Sequence, residues 1–277
     1  DLRRTYPDRL LVFSTLADPA QQRALEPLGC LSFADPSRAI RMLAALNFFA
    51  AQRGQRAARP QAQRGRIALR PGPYNEADAL DLLRAHGLPT VEVRRAVKRD
   101  EAVAAARELG FPVAMKVLSA QIAHKSDVGG VALRIADAGQ AGAACDGLLA
   151  RVRAAVPDAV LDGVLVAPMV EAGVECILGV HRDPVLGHVV MLGCGGVHAE
   201  LLRDASFRIA PVDEAQARGM LDELRTVALL RGFRGAPLAD EQALVQAIVR
   251  LSEFAVAAGD SLQSVDVNPF KVLPQGQ

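Results

Sequence analysis

Residues 110–131 read GFPVAMKVLSAQIAHKSDVGGV, and this stretch decides how the rest of the chain is understood. Residues 113–118 form an apolar run of strand length, interrupted by one charge at Lys116. A buried, unpaired ammonium is costly. A lysine kept at such a position either snorkels to solvent or faces a pocket that receives an anion. Just beyond, His124, Lys125, Ser126 and Asp127 stand ahead of Gly129-Gly130. Paired glycines let backbone N–H groups converge on an anion or let a loop swing. A neutral ring nitrogen of His124 is a competent phosphoryl acceptor, with Asp127 or another carboxylate to orient the other nitrogen. On its own, HKSD is weak evidence, because a lone loop histidine is more often a surface or capping residue.

Outward from this stretch, residues 71–277 read as one α+β domain. Asn75 caps a helix, with Asp78 completing a capping-box-like pattern. Ala77, Leu80 and Leu83 share that helix's inner face, and Gly87 stops it. Strands are expected at 89–97, 113–118, 131–135, 164–170, 174–180, 188–192 and 264–267. Helices are expected at 100–110, 138–156, 213–230 and 240–258. Helical pairs set between antiparallel-like strands differ from the strict alternation of a doubly wound sheet.

Upstream, a strand at 9–15, a helix at 18–28, a strand at 30–33 and a helix at 37–53 read as the end of an α/β layer. The last helix is expected to bury Ala39, Met42, Leu43, Leu46 and Ala50. The first residue is not Met and no strand precedes, so residues 1–51 are expected to be the tail of a longer domain. Residues 52–66 carry five arginines, no acid and almost nothing apolar. They cannot bury enough surface to fold alone, and 52–70 is read as a basic linker.

Three more clusters carry chemically useful groups. Gly193-Cys194-Gly195-Gly196 follows a strand and resembles a phosphate-cradling turn, although neither GxGxxG nor GxxxxGK[ST] is present. Glu200, Arg203, Asp204 and Arg208 follow, as a solvated surface or as a metal carboxylate with guanidinium clamps on phosphate. Asp266 and Asn268, two apart after the last strand, offer two oxygens to one point, a set suited to magnesium or to an Asx turn before Pro269. Finally, residues 167–171 (APMVE) end one strand and Glu175 opens the next; a hinge there suits an adenine edge, and Glu171 or Glu175 a ribose.

The bulk properties narrow the classes. The 277 residues are 51% hydrophobic with a net charge of +1, and aromatic residues make up only 4%. That disfavours an electrostatic or stacking partnership with nucleic acid. No apolar run approaches the ~20 residues that cross a bilayer, and no signal peptide opens the chain. Cys30, Cys145, Cys176 and Cys194 lack zinc spacing and read as free thiols in a reducing cytoplasm.

Taken in order, GFPVAMKVLS, HKSDVGGV, APMVEAGVECILGVHRDPVLG, GCGGVHAELLRD and DVNP resemble the ATP-grasp domain of the ADP-forming acetate–CoA ligase family. The resemblance covers residues 74–270, and the first ~50 residues resemble the end of the flavodoxin-like CoA-ligase domain that precedes it in single-chain members. It implies an ATP-grasp fold, two α+β subdomains around a nucleotide cleft. It also implies an ATP-dependent acid–thiol ligase reaction in which phosphohistidine carries the phosphoryl group. By the resemblance, His124 is the phospho-acceptor. Lys116, Val170, Glu171, Glu175, Arg208, Gly195 and Gly196 serve ATP, and Glu200, Asp266 and Asn268 serve magnesium. Implied cofactors are ATP and Mg2+, with CoA a substrate of the full-length enzyme. Implied partners are the CoA-binding and ligase domains in cis, the carboxylic acid, and further copies of the full-length chain. Leu186 stands where the family usually has an aromatic, and the family's final acidic strand is expected to be missing after DVNP. The other reading the resemblance leaves open is a non-catalytic ATP-grasp-like module of a bacterial protein lysine acetyltransferase. A carboxylate–amine ligase would leave HKSD without a role.

Overall fold

The computed structural model describes residues 2–7, 9–15, 18–54, 67–122, 124–170, 172–195 and 204–276. The chain separates into two compact units, Asp1–Arg59 and Pro60–Gln277.

In the first unit, α1 (Leu2–Thr5) precedes β1 (Leu11–Ser14), α2 (Pro19–Leu25), β2 (Cys30–Phe33) and α3 (Pro36–Gly54). Strands β1 and β2 pair in parallel, Leu11 opposite Cys30, as a helical crossover requires. Helix α3 extends to Gly54, into the stretch read as linker. Its expected apolar face is only partly covered: Ala39 is buried, but Leu43 and Leu46 are 43% and 44% exposed. Residues 55–66, most of the arginine-rich stretch, lie outside the described residues.

The second unit holds two antiparallel four-stranded sheets. Its first lobe contains β3 (Arg94–Ala96), α5 (Arg99–Leu109), β4 (Val113–Leu118), β5 (Val131–Ile135), α6 (Ala138–Ala155) and β6 (Gly163–Pro168), in strand order β3-β6-β4-β5. On β4, alternate residues Val113, Met115 and Val117 face α5 and α6 and are fully buried. The opposite face carries Lys116 and Leu118, with Leu165 of β6 directly across from Lys116. Helix α4 (Glu76–Ala85) covers this second face, packing Ala77 onto Leu118 and Leu165.

The second lobe contains β7 (Val174–Asp183), β8 (Gly187–Cys194), β9 (Ala205–Ile209), α7 (Glu214–Glu223), α8 (Glu241–Ala258) and β10 (Ser264–Val272), in strand order β10-β7-β8-β9. One sheet face, with Leu178, Val180, Val190 and Leu192, is sealed by Met220 and Leu221 of α7 and by Leu244, Ile248 and Leu251 of α8. Leu83 and Leu88, at and beyond the end of α4, enter this same core. Helix α4 is therefore a strut, packed by its start on one lobe and by its end on the other. Ile67 and Leu69, also assigned to the linker, pack against the second lobe's core, and the Ile67 N–H donates to the Ala257 carbonyl.

Five expectations need correction. The strand expected at 89–97 is confined to Arg94–Ala96, an edge strand with β6 as its only ladder partner among the described residues. The helix expected over 213–230 ends at Glu223, because the Asp204 carboxylate caps a new 3-10 turn by accepting from the Arg225 and Thr226 N–H groups. Strand β9 was not expected. The last strand runs on to Val272, with a bulge between Val267 and Phe270. The Asn75 cap is half a box: its side chain accepts from the Asp78 N–H, while the Asp78 carboxylate turns to Arg70 and Arg95.

The Asn75 amide also donates to Asp162 at 2.9 Å, tying the start of α4 to the first lobe. Asn75→Ala is expected to cost about 1–2 kcal/mol, read as a lower urea midpoint with an unchanged slope.

Candidate functional site

The first turn of α4 sets Glu76 opposite Lys116. The Lys116 ammonium lies 2.7 Å from Glu76 Oε1, and the Lys125 ammonium lies 3.1 Å from Glu76 Oε2. The three side chains are 32%, 15% and 25% exposed for Lys116, Lys125 and Glu76. Lys116 thus neither snorkels nor goes unpaired. Burial works to raise the Glu76 carboxyl, but Lys116 and then Lys125 outweigh it and hold the group below its ordinary value. Glu76 carries no motif of its own. The available signal was an acid in the first turn of a helix on the same sheet face as a strand lysine.

Both glycines of the HKSDVGGV loop use their N–H groups inside the loop. Gly129 donates to the Ser126 carbonyl at 3.1 Å, and Gly130 to the Lys125 carbonyl at 2.7 Å. Of the two uses the paired glycines allow, both amides here close the turn. At Gly130 a Cβ would meet Val117 Cγ1 at 2.8 Å and the Lys125 carbonyl at 2.9 Å, so only glycine lets the loop lie against β4. His124 projects from this loop and is exposed. Asp127 meets it only through its own N–H, donated to the His124 carbonyl. The carboxylate that senses the His124 ring is Asp266.

Asp266 lies on the open face of the second sheet, in a row with Gly179, Met191 and Phe207. Val265 and Val267 point the other way, toward the helices. Desolvation by the surrounding protein raises the Asp266 carboxyl, and His124 works against it. Asp266 itself is solvent-exposed. Asn268 is exposed beside it, in the bulge opposite Ile177. Lys116, Glu76 and Lys125 thus form one paired group on the first lobe, with the exposed His124 next to Lys125 in the chain.

A second group forms where β6 leads into β7. The Lys271 ammonium donates to the Val170 carbonyl at 2.5 Å and lies 3.5 Å from Glu175. The Gly195 N–H donates to the Glu175 carbonyl at 2.8 Å, and a Cβ there would strike the Glu175 backbone at 2.7 Å. Val170, Glu175 and Gly195 are thus brought together, with Lys271 as an unanticipated fourth member. The Gly195 N–H is spent on the sheet edge, and the rest of the expected phosphate-cradling turn, from Gly196 on, lies outside the described residues.

Arg208 stands apart. It lies opposite Val190 on the helix-covered sheet face, the reverse of the face bearing Asp266. There it forms a two-pronged pair with Glu223 of α7, at 2.5 and 3.0 Å. Strand alternation thus sets Arg208, expected to face phosphate, on the sheet face opposite Asp266. Glu171, Gly196 and Glu200 lie outside the described residues.

Two α+β lobes bridged by one helix, with a strand lysine on one and an acid–amide pair on the last strand of the other, define a protein of the ATP-grasp class. The chain belongs to the ATP-grasp domain family, which matches it over residues 70–277. It is 40% identical over 202 residues to the beta subunit of ADP-forming acetate–CoA ligase II from Pyrococcus furiosus, covering 73% of this chain and 86% of that one. It is 35% identical over 266 residues to ADP-forming acetate–CoA ligase I from Archaeoglobus fulgidus, covering 92% of this chain but only 38% of that longer protein. Among solved structures it resembles the dinucleotide-forming acetyl-coenzyme A synthetase 1 of Candidatus Korarchaeum cryptofilum, in complex with coenzyme A and Ca-AMPCP. That likeness has a TM-score of 0.71 and 38% identity over 74% of this chain and 89% of that one. The same protein bound to coenzyme A and Mg-AMPPCP, its phosphohistidine segment pointing towards the nucleotide binding site, matches with a TM-score of 0.59 and 36% identity over 69% of this chain and 82% of that one. Among the described residues, no helix is long and apolar enough to cross a membrane.

The two carboxyls predict opposite pH signatures. Glu76 titrates low when folded, so its stabilising contribution is present above its ordinary value of 4.5 and is lost as pH falls through the lower folded value. Asp266 titrates high when folded, so its charge destabilises above that raised value, and the penalty vanishes below its ordinary value of 3.8. Glu76→Gln should lower the melting temperature at pH 7 and Asp266→Asn should raise it, with both differences shrinking toward pH 3 in thermal melts.

Proposed function

We propose that this chain is the ATP-binding, phosphohistidine-forming part of an ADP-forming acyl-CoA synthetase, with His124 accepting the γ-phosphoryl group of ATP. The observation that carries the reading is the His124 loop, tied through Lys125 and Glu76 to the strand lysine Lys116.

In this reading Lys116 holds phosphate oxygens with the ammonium protons that Glu76 leaves free. Val170 and Glu175, braced by Lys271, line the adenine and ribose end, and Glu171 and Gly196 are assigned to the same end. Asp266 and Asn268 supply two hard oxygen donors, and Glu200 is assigned as a third. This set suits magnesium, which keeps several waters and takes phosphate oxygens as further ligands. When bound, the ion neutralises charge on the β- and γ-phosphates. A neutral His124 ring nitrogen attacks the γ-phosphorus. The nitrogen–phosphorus bond forms as the bond to the β,γ-bridging oxygen breaks, and ADP leaves with that electron pair. The other ring nitrogen keeps its proton, and the nearby Asp266 carboxylate offsets the resulting positive charge. The chain's work is positioning and charge neutralisation.

Acid selection, CoA binding and acyl transfer are assigned to domains beyond those described, in cis or as a partner subunit. All four cysteines are free and buried, and burial followed by Cys194 pushes the Cys176 thiol up to about 12. Such unreactive thiols fit a cytoplasmic protein.

Incubation with γ-labelled ATP and magnesium is expected to give acid-labile, base-stable label on the wild type and none on His124→Ala. ATP protection against melting without label would replace this reading with a nucleotide-binding module. Loss of one charge-assisted contact to phosphate in Lys116→Ala should weaken ATP binding ~10- to 100-fold, measured by calorimetry.

A further inference from the structure

Glu76 serves two lysines that differ in what they are built on. Lys116 sits in the middle of β4, in register with Val131 of β5 and Leu165 of β6. Lys125 sits on a loop, one residue from His124. It is nonetheless the most enclosed of the three side chains, while His124 is exposed. The loop's main-chain ends are fixed. Ile122 is buried in the first lobe's core, and Gly130 donates to the Lys125 carbonyl while its own carbonyl accepts from the Val117 N–H. Among the described residues of the His124–Gly129 turn, the Lys125–Glu76 pair is the side-chain tie to α4.

We infer that the Glu76–Lys125 ion pair is a latch on the His124 loop, and that a phosphoryl group on His124 releases it. This rests on His124 being the phospho-acceptor. A phosphoryl group brings close to two negative charges within one residue of the Lys125 ammonium. Lys125 then exchanges a shared monoanion for a nearby near-dianion. Glu76 does not pay the usual penalty of a stranded, partly buried charge, because Lys116 stays 2.7 Å from its other oxygen. The exchange is therefore biased toward release. The empty loop is held toward the nucleotide side, and the loaded loop is free to carry its phosphoryl group away. Glu76 is a positioning residue that acts through Lys125.

Hydrogen–deuterium exchange of amides in 120–130 tests this on the whole chain. Wild type, Glu76→Gln and Lys125→Gln are compared before and after treatment with phosphoramidate. That reagent phosphorylates histidine with release of ammonia and needs no ATP; His124→Ala controls for the other histidines. Before treatment, both variants should exchange loop amides about fivefold faster than wild type. After treatment, wild type should rise to the variants' rate and the variants should not change. Lys125→Gln keeps the Lys116–Glu76 pair, so a disturbed start of α4 cannot mimic the result. Variants that exchange like untreated wild type overturn the latch. A loaded wild type that stays protected, or a His124 that phosphoramidate cannot load, overturns the release. Because this arm bypasses ATP, absence of label from ATP would remove the proposed function and leave these outcomes readable.

Discussion

One carboxylate shared between two ammonium groups organises the candidate site. Glu76 lets a lysine stand in an otherwise apolar strand, where an unpaired charge would be costly, and it draws the histidine loop onto the same lobe. Its position follows from helix α4, started by Asn75 and pressed onto Leu118 and Leu165 by Ala77. The far end of α4 is embedded in the other lobe's core through Leu83. The residue that sets the local electrostatics therefore stands on the element that ties the lobes together.

The two carboxyls of the site are tuned in opposite directions by the same physics. Glu76 is satisfied by two cations and pushed down; at Asp266 desolvation outweighs the opposing charge of His124, and the group is pushed up. The raised carboxyl carries a local cost in stability while it is charged.

Much of this was legible in the chain itself. The Lys116 strand, the HKSDVGGV loop and the α+β order all follow from local rules: one charge in an apolar run, adjacent glycines, caps and stops. Strand β9 escaped because its pattern is inverted. Ser206 and Arg208 face inward, satisfied by Glu223, while Phe207 and Ile209 are exposed. No rule that puts apolar residues inside can find such a strand. The break after Glu223 escaped because the cap that stops the helix comes from Asp204, on another element.

The sequence by itself determined which groups are present and which face of its own element each occupies, because strand and helix periods act over a few residues. Only the tertiary structure decided their partners. It gave Glu76 to Lys116 and Lys125, Lys271 to Val170 and Glu175, and Arg208 to Glu223 rather than to Asp266's side of the sheet. Those pairings join residues far apart in the chain, and they exist only once two sheets and a bridging helix have packed, a matter of long-range burial that no local window contains.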